Sequence, residues 1–239
     1  MNELLQLAIT AHGGLERWNR LNTVSVEASI TGGIWYLKGR PDILKNVVMD
    51  VSLHTEKLVM SFPGTDKRTT FEADRIIIEG LDDSPPKTYQ HPITAFEGHV
   101  RETPWEDVHV AYFSGEALWT YLTTPFLYSY PGFVTEEMGP WHENDEVWRR
   151  LKIVFPDNIT SHSKEQVSYF GPDGLIRRHD YTVDILGGAT GANYATGYRN
   201  VDGIIIPTTR RIYAYEGPDH MVIKDPLLVG IDMQRITFS

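Results

Sequence analysis

Residues Trp105–Phe133, WEDVHVAYFSGEALWTYLTTPFLYSYPGF, decide how the rest of the chain is read. They carry the one long helical pattern in the middle of the sequence. On a 3.6-residue wheel Val108, Ala111, Tyr112, Leu118, Trp119 and Leu122 form an apolar stripe. The opposite stripe holds His109, Phe113, Glu116 and Thr120, with aromatic rather than charged neighbours. A surface helix would carry charge there, so this one is expected to be enclosed on both sides. The expectation is a helix lying across the open side of a curved β-sheet and helping to close a cavity.

Both flanks of this segment read mainly as β-structure. At the start, Leu4, Leu5, Ala8, Ile9 and Ala11 fall at helical spacing between Asn2 and His12, and Gly13-Gly14 ends the run. Leu15–Leu21 reads as a second short helix carrying Trp18. From Thr23 the period changes to two, with Val24, Val26, Ala28 and Ile30 on one face. Gly32-Gly33 turns this strand into Ile34–Lys38, and further strands are expected at Ile43–Leu53, Lys57–Phe62, Arg68–Glu72 and Arg75–Gly80. Pro63-Gly64 and Ala73-Asp74 supply hairpin turns. Asp82 to Pro92 reads as a polar, proline-interrupted loop.

Beyond Phe133 the strands return: Val134–Trp141, Val147–Phe155, Gln166–Gly171, Leu175–Leu186, Tyr194–Asn200, Ile204–Tyr215, and Met221–Phe238 with breaks. Pro172-Asp173-Gly174 and Asp202-Gly203 are turns between them. Hairpin-spaced strands with one inserted helix give a mainly β class rather than an α/β alternation. The fold expected is a strongly curved antiparallel sheet forming a half-open barrel, covered by the N-terminal and central helices, in a single domain over residues 1–239.

Composition narrows the function. A net charge of −10, from 32 acidic against 22 basic residues, opposes nucleic acid, whose phosphates need a Lys/Arg surface. It opposes an anionic membrane surface equally. The absence of cysteine excludes disulfides, thiol nucleophiles and Cys-ligated zinc or iron–sulfur centres. The opening MNELLQLAIT has neither a basic n-region nor the apolar run of a signal peptide. No later stretch reaches the ~18 apolar residues of a membrane span. The expectation is a soluble cytoplasmic chain with no stable membrane insertion.

The opening LAITAHGGLERWNRLNTVSVEASITG resembles the start of proteins of the LolA/LolB-like lipoprotein-carrier superfamily, where a short helix ending in Gly-Gly leads into the first strand of an unclosed barrel. GLIRRHDYTVDI and GYRNVDGIIIPTTRRIYAY are similar to late strands of the same group. TPWEDVHVAYFSGEALWTYLTTPF resembles a bacterial family of uncharacterised activity. The resemblance implies a half-open barrel with helices over a hydrophobic cavity, and binding of acyl chains or other lipophilic molecules. The carriers have a leader peptide that is not seen here.

Candidate site residues come from three places. His109 and Glu116 lie seven residues apart on one stripe, about two turns or ~10 Å along the axis, so both can reach one ligand but not each other. Either they anchor a ligand and supply a general base, or they are a buried pair satisfied by backbone or strand arginines. Tyr112, Phe113, Trp119, Thr120 and Phe126 belong to an aromatic-rich segment that makes either core or pocket wall. The strand RRHDYTVDI turns Arg177, His179, Tyr181, Val183 and Ile185 to its more apolar face. His179 and Tyr181 then line the cavity and Arg177 meets an acidic head group near its mouth, unless they are a core histidine and a surface cation. TTRRIYAY makes a similar offer with Arg211, Tyr213 and Tyr215.

His91, His99 and His109 have no metal-ligand spacing, and neither a nucleophile elbow nor a glycine-rich phosphate loop occurs, so no metal or cofactor is expected. The acidic run around Trp141 and Trp148 reads as a solvated hairpin rim. Three functions stay open: a binder or carrier of a lipophilic small molecule, an enzyme working on such a molecule by acid–base catalysis with His109, Glu116 or His179, or a structural domain with a solid interior.

Overall fold

The computed structural model describes residues 2–80 and 85–239. Asn2 starts α1 (Glu3–Ala11) by accepting a hydrogen bond from the Leu5 N–H at 2.8 Å, and the helix buries Leu4, Leu5, Ala8 and Ile9. Gly13 follows with φ +121°, and a Cβ there would sit 2.3 Å from the Gly203 carbonyl oxygen. Only glycine lets this end of α1 dock on a later hairpin. In α2 (Leu15–Trp18) the Trp18 ring is buried and stacks on Phe126 with centroids 4.1 Å apart.

Strand β1 (Thr23–Thr31) buries Val24, Val26, Ala28 and Ile30, as its period of two requires. It pairs on one side with β2 (Val47–Ser52) and on the other with the last strand, β14 (Val229–Phe238). The two ends of the chain therefore meet in the middle of the sheet. From β2 the sheet steps outward through β3 (Lys57–Ser61), β4 (Arg68–Glu72), β5 (Arg75–Glu79) and β6 (Lys87–Gln90). From β14 it steps the other way through β12 (Ile204–Glu216), β11 (Ala189–Val201), β10 (Ile176–Val183), β9 (Glu165–Phe170), β8 (Glu146–Val154) and β7 (Val134–Glu143). A short β13 (Met221–Ile223) pairs with β12, and all pairings are antiparallel. Among the described residues this is one mainly β sheet of 14 strands, unclosed, a half-open barrel.

The free edges are β6 and β7, and the chain between them holds α4 (Asp107–Thr123). The helix leaves one edge and returns at the other, so connectivity takes it across the opening. Every residue from Val108 to Thr123 is buried, which explains the two-sided apolar pattern. Gly115 permits the close approach to β4: a Cβ there would lie 2.3 Å from Cγ of Phe71.

Three expectations are corrected. Ile34–Lys38 is not a strand but lies in and just beyond α3 (Gly33–Leu37). Ile34, Trp35 and Lys38 are buried while Tyr36 and Leu37 are exposed, a one-turn helical spacing that strand alternation cannot produce. The loop from Asp82 to Pro92 contains β6, because Ile76 and Ile77 of β5 take Tyr89 and Thr88 as edge partners; residues 81–84 lie outside the described residues. The acidic rim is partly internal, since Glu143 accepts from Tyr194 and Arg178.

Candidate functional site

Between α4 and the strands β1, β10, β12 and β14 lies a cavity of about 30 Å³. Its walls are Ile30, Trp35, Phe113, Ser114, Ala117, Leu118, Tyr121, His162, Tyr181, Ile212, Val229 and Ile231. That volume holds about one water molecule, whereas ligand pockets run to several hundred Å³. Under the helix lies a small, mostly apolar void, not a hollow of the size expected there.

Phe113 faces this void, with ring centroids 4.8 Å from His162 and 6.0 Å from Trp35. Trp119 points elsewhere: its Nε1–H donates to the carbonyls of Ser52 and Thr55, at 2.9 and 3.1 Å. Tyr112 lies toward β4 beside Phe71 and Phe96. Thr120 turns its hydroxyl back to the Glu116 carbonyl, and Phe126 sits on Trp18 away from the void.

His109 is a helix cap. Its Nδ1 accepts the Glu106 N–H and its Nε2–H donates to the Ala95 carbonyl, both at 2.9 Å, so neither ring nitrogen is free to act as a base. Glu116 instead meets His162, from the β8–β9 connection, with Oε1 and Nδ1 2.6 Å apart and both side chains buried. Burial pushes Glu116 above the ordinary carboxylate range, and His162 offsets only part of that rise.

On β10 the alternation holds at His179 and Tyr181, which point inward; the Tyr181 and Tyr121 hydroxyls are 2.5 Å apart. It fails at Arg177, because the register with β9 shifts between Ile176 and Arg178. The Arg177 guanidinium is held by Asp173 and Glu146, not turned into the barrel. On β12 the inward arginine is Arg210, while Arg211 pairs outward with Asp232 at 2.8 Å. The signal was present, since Ile204, Ile206 and Ile212 share the phase of Arg210.

The strand register lines up a polar floor beside the void. Ser168 pairs with His179, His179 with Asn193, and Asn193 with Ile212, two residues from Arg210. All four polar side chains are at most 1% exposed. Arg210 donates from Nη2 to the Tyr121 carbonyl at 3.0 Å and from Nη1 to Asn193 Oδ1 at 3.5 Å, and lies 4.8 Å from the Tyr121 ring centre. Burial, with Arg210 nearby, pushes His179 down to about 3 and His12 down to about 4, so both are neutral near pH 7. His162, Ser168, Asn193 and Arg210 are polar floor and wall residues that sequence reading missed. His162 lies in an irregular connection where no period operates. Among the described residues no group of three or more His, Asp or Glu is placed to hold a metal ion.

No protein-family model matches the chain, and no curated protein matches it. Solved structures do, at the level of fold. A LolA superfamily protein from Nitrosomonas europaea is 8% identical with a TM-score of 0.54, the match covering 98% of this chain and 92% of that one. A DUF1329 family protein from Desulfovibrio piger is 11% identical with a TM-score of 0.56, covering 99% and 92%. A domain assigned to outer membrane lipoprotein sorting in Vibrio parahaemolyticus is 10% identical with a TM-score of 0.53, covering 100% and 94%. The fold is LolA/LolB-like. The cytoplasmic expectation is corrected by the same findings, because outer membrane lipoprotein sorting points outside the cytoplasm. Among the described residues no helix is long and apolar enough to cross a membrane.

Proposed function

We propose that this chain binds and carries a lipophilic small molecule of acyl-chain type between α4 and the concave face of the sheet, in an extracytoplasmic setting. The observation that carries the reading is the apolar void under a helix strung between the two free sheet edges. The likeness of fold to a LolA superfamily protein and a lipoprotein-sorting domain supports it.

The present void is far too small for such a ligand, so α4 must separate from the late strands. Its extensive packing is on β3, β4, β5 and the 3-10 turn Pro92–Phe96. Toward β10, β12 and the β8–β9 connection it is tied by Tyr121 to Tyr181, Arg210 to the Tyr121 carbonyl, and Glu116 to His162. Each such bond is worth about 1 kcal/mol net, somewhat more where charged. Burying a chain of ten methylenes returns about 8 kcal/mol. The ligand therefore supplies enough to open that seam. Of the three groups the acid–base alternative would use, His109 is committed to the helix cap.

Native mass spectrometry of the purified protein, followed by organic extraction, tests the reading. The expected result is a co-purifying lipophile, or uptake of a fluorescent acyl probe by protein stripped of it. Protein that carries nothing and takes up no probe would refute it.

A further inference from the structure

Arg210 is a buried cation without a counter-ion. Among the described residues no carboxylate lies within ion-pair distance of it, although it is 1% exposed and arginine does not give up its proton in proteins. Burying an ion without a partner costs several kcal/mol even after relaxation. The Tyr121 carbonyl lies in the last turn of α4, where the helix contributes about half a negative charge. That is half of what the guanidinium needs, and it leaves donors idle.

The unpartnered polar groups are clustered. Arg210 Nε, Asn193 Nδ2 and both ring nitrogens of His179 are buried without a hydrogen-bond partner. Buried polar groups are almost always satisfied, so several orphans on adjacent strands mark a place where a group is missing. Water can satisfy the hydrogen bonds but not the charge. The Tyr121 and Tyr181 rings, 6.4 and 5.5 Å from His179, stand between this cluster and the apolar void they also line. A polar end and an apolar passage are thus contiguous, divided by two side chains.

We propose that Arg210, Asn193 and His179 form a head-group site for the carboxylate of an amphiphile whose hydrocarbon chain lies under α4. The inference rests on the lipophile-binding reading and narrows it to acidic ligands. Nε of Arg210 and Nδ2 of Asn193 donate to the carboxylate oxygens, with a ring N–H of neutral His179 as the third donor.

Decanoate and decanol, equal in chain length, are the probes, titrated calorimetrically into delipidated full-length protein. The wild-type chain is expected to bind decanoate at least roughly tenfold more tightly than decanol. Arg210→Gln is expected to bring that ratio to about one. Asn193→Asp, which places a carboxylate beside Arg210, is expected to raise Tm and to lower the same ratio. The inference is overturned by equal wild-type affinities, or by Arg210→Gln weakening both ligands in proportion, which would make Arg210 only a tie for α4. It is likewise overturned by an Asn193→Asp chain that keeps the wild-type ratio. Acetate competing as well as decanoate would make this a site for free anions and not for a head group. Failure of both probes to bind would remove the lipophile-binding reading itself, whereas binding of both with equal strength would remove only the acidic preference.

Discussion

Phe113 and Trp119 lie on the same helix, yet removing them should have different consequences. Phe113→Ala deletes ~100 Å³ of side chain next to a void of about 30 Å³. At ~24 cal/mol per Å³ that cavity alone costs ~2.4 kcal/mol, and with lost transfer energy the total is ~3–4 kcal/mol. The enlarged space, of roughly 130 Å³, approaches the size at which apolar engineered cavities stay dry and admit benzene. Trp119→Ala loses a comparable ~3–5 kcal/mol of packing and removes the donor to the Ser52 and Thr55 carbonyls. Its vacancy is edged by those two carbonyls, so water enters it. Denaturant unfolding measures the two losses, and thermal scans with benzene separate the two spaces. At about ten times its Kd benzene should stabilise Phe113→Ala by ~1.4 kcal/mol, or ~3–6 °C in Tm, and leave Trp119→Ala unmoved. Equal benzene shifts in both variants, or none in either, would refute the claim that Phe113 borders the expandable space.

Replacing the capping imidazole in His109→Ala should cost about 2 kcal/mol in urea unfolding without altering uptake of an acyl probe; loss of uptake at unchanged stability would return His109 to the binding site. Gly115→Ala should destabilise by ~2–4 kcal/mol, because its Cβ meets the Phe71 ring; a neutral result would mean α4 does not lie that close to β4. Burial pushes Glu56 up to about 8, so the folded state keeps a proton that the unfolded chain loses above pH ~4.5. Stability from this group therefore falls as pH rises from ~4.5 to ~8, and Glu56→Gln should gain ~3–4 kcal/mol over wild type at pH 8 but little at pH 4.5. Neutral His12 and His179 act with the opposite sign, losing stability as pH falls from ~6.5 toward ~4, so unfolding midpoints between pH 6.5 and 8 give the clean comparison.

Much of the architecture was legible because it rests on periods. The two-residue alternation of β1, the helical spacing of α1 and the double-faced pattern of α4 each record a burial environment, and each is where it was expected. The errors occur where a local rule is overridden. At Ile34–Lys38 the apolar residues are too few for a period to show, and burial of Trp35 and Lys38 decides the helix. At Arg177 a bulge displaces one side chain, and no single sequence announces a bulge. On β12 the expectation for Arg211 fails because the buried Ile204, Ile206 and Ile212 share the phase of Arg210 instead. His179, Tyr181 and Phe113 face the interior, while His109, Trp119 and Phe126 have structural partners elsewhere.

The two ends of α4 are held in different ways, and this fixes which end can move. Near its start Asp107 is clamped by Arg40 and by Lys67, the latter at 2.6 Å, and Trp105 N–H bonds the Lys38 carbonyl at 2.9 Å. Those anchors all come from the first half of the sheet or its connections. Near its end the helix meets the second half through the Tyr121 hydroxyl and the Tyr121 carbonyl, the latter on Arg210. A carboxylate on Arg210 Nε leaves the Nη2 bond to that carbonyl in place, so what parts this end of the helix is the hydrocarbon chain entering beneath it. Hydrogen exchange in the presence of decanoate should then quicken at the amides of Thr120–Thr124 while those of Ala111–Glu116 hold their protection. Faster exchange along the whole helix would mean that α4 lifts as a unit, and uniformly slower exchange would mean that the ligand enters without parting the seam at Tyr121.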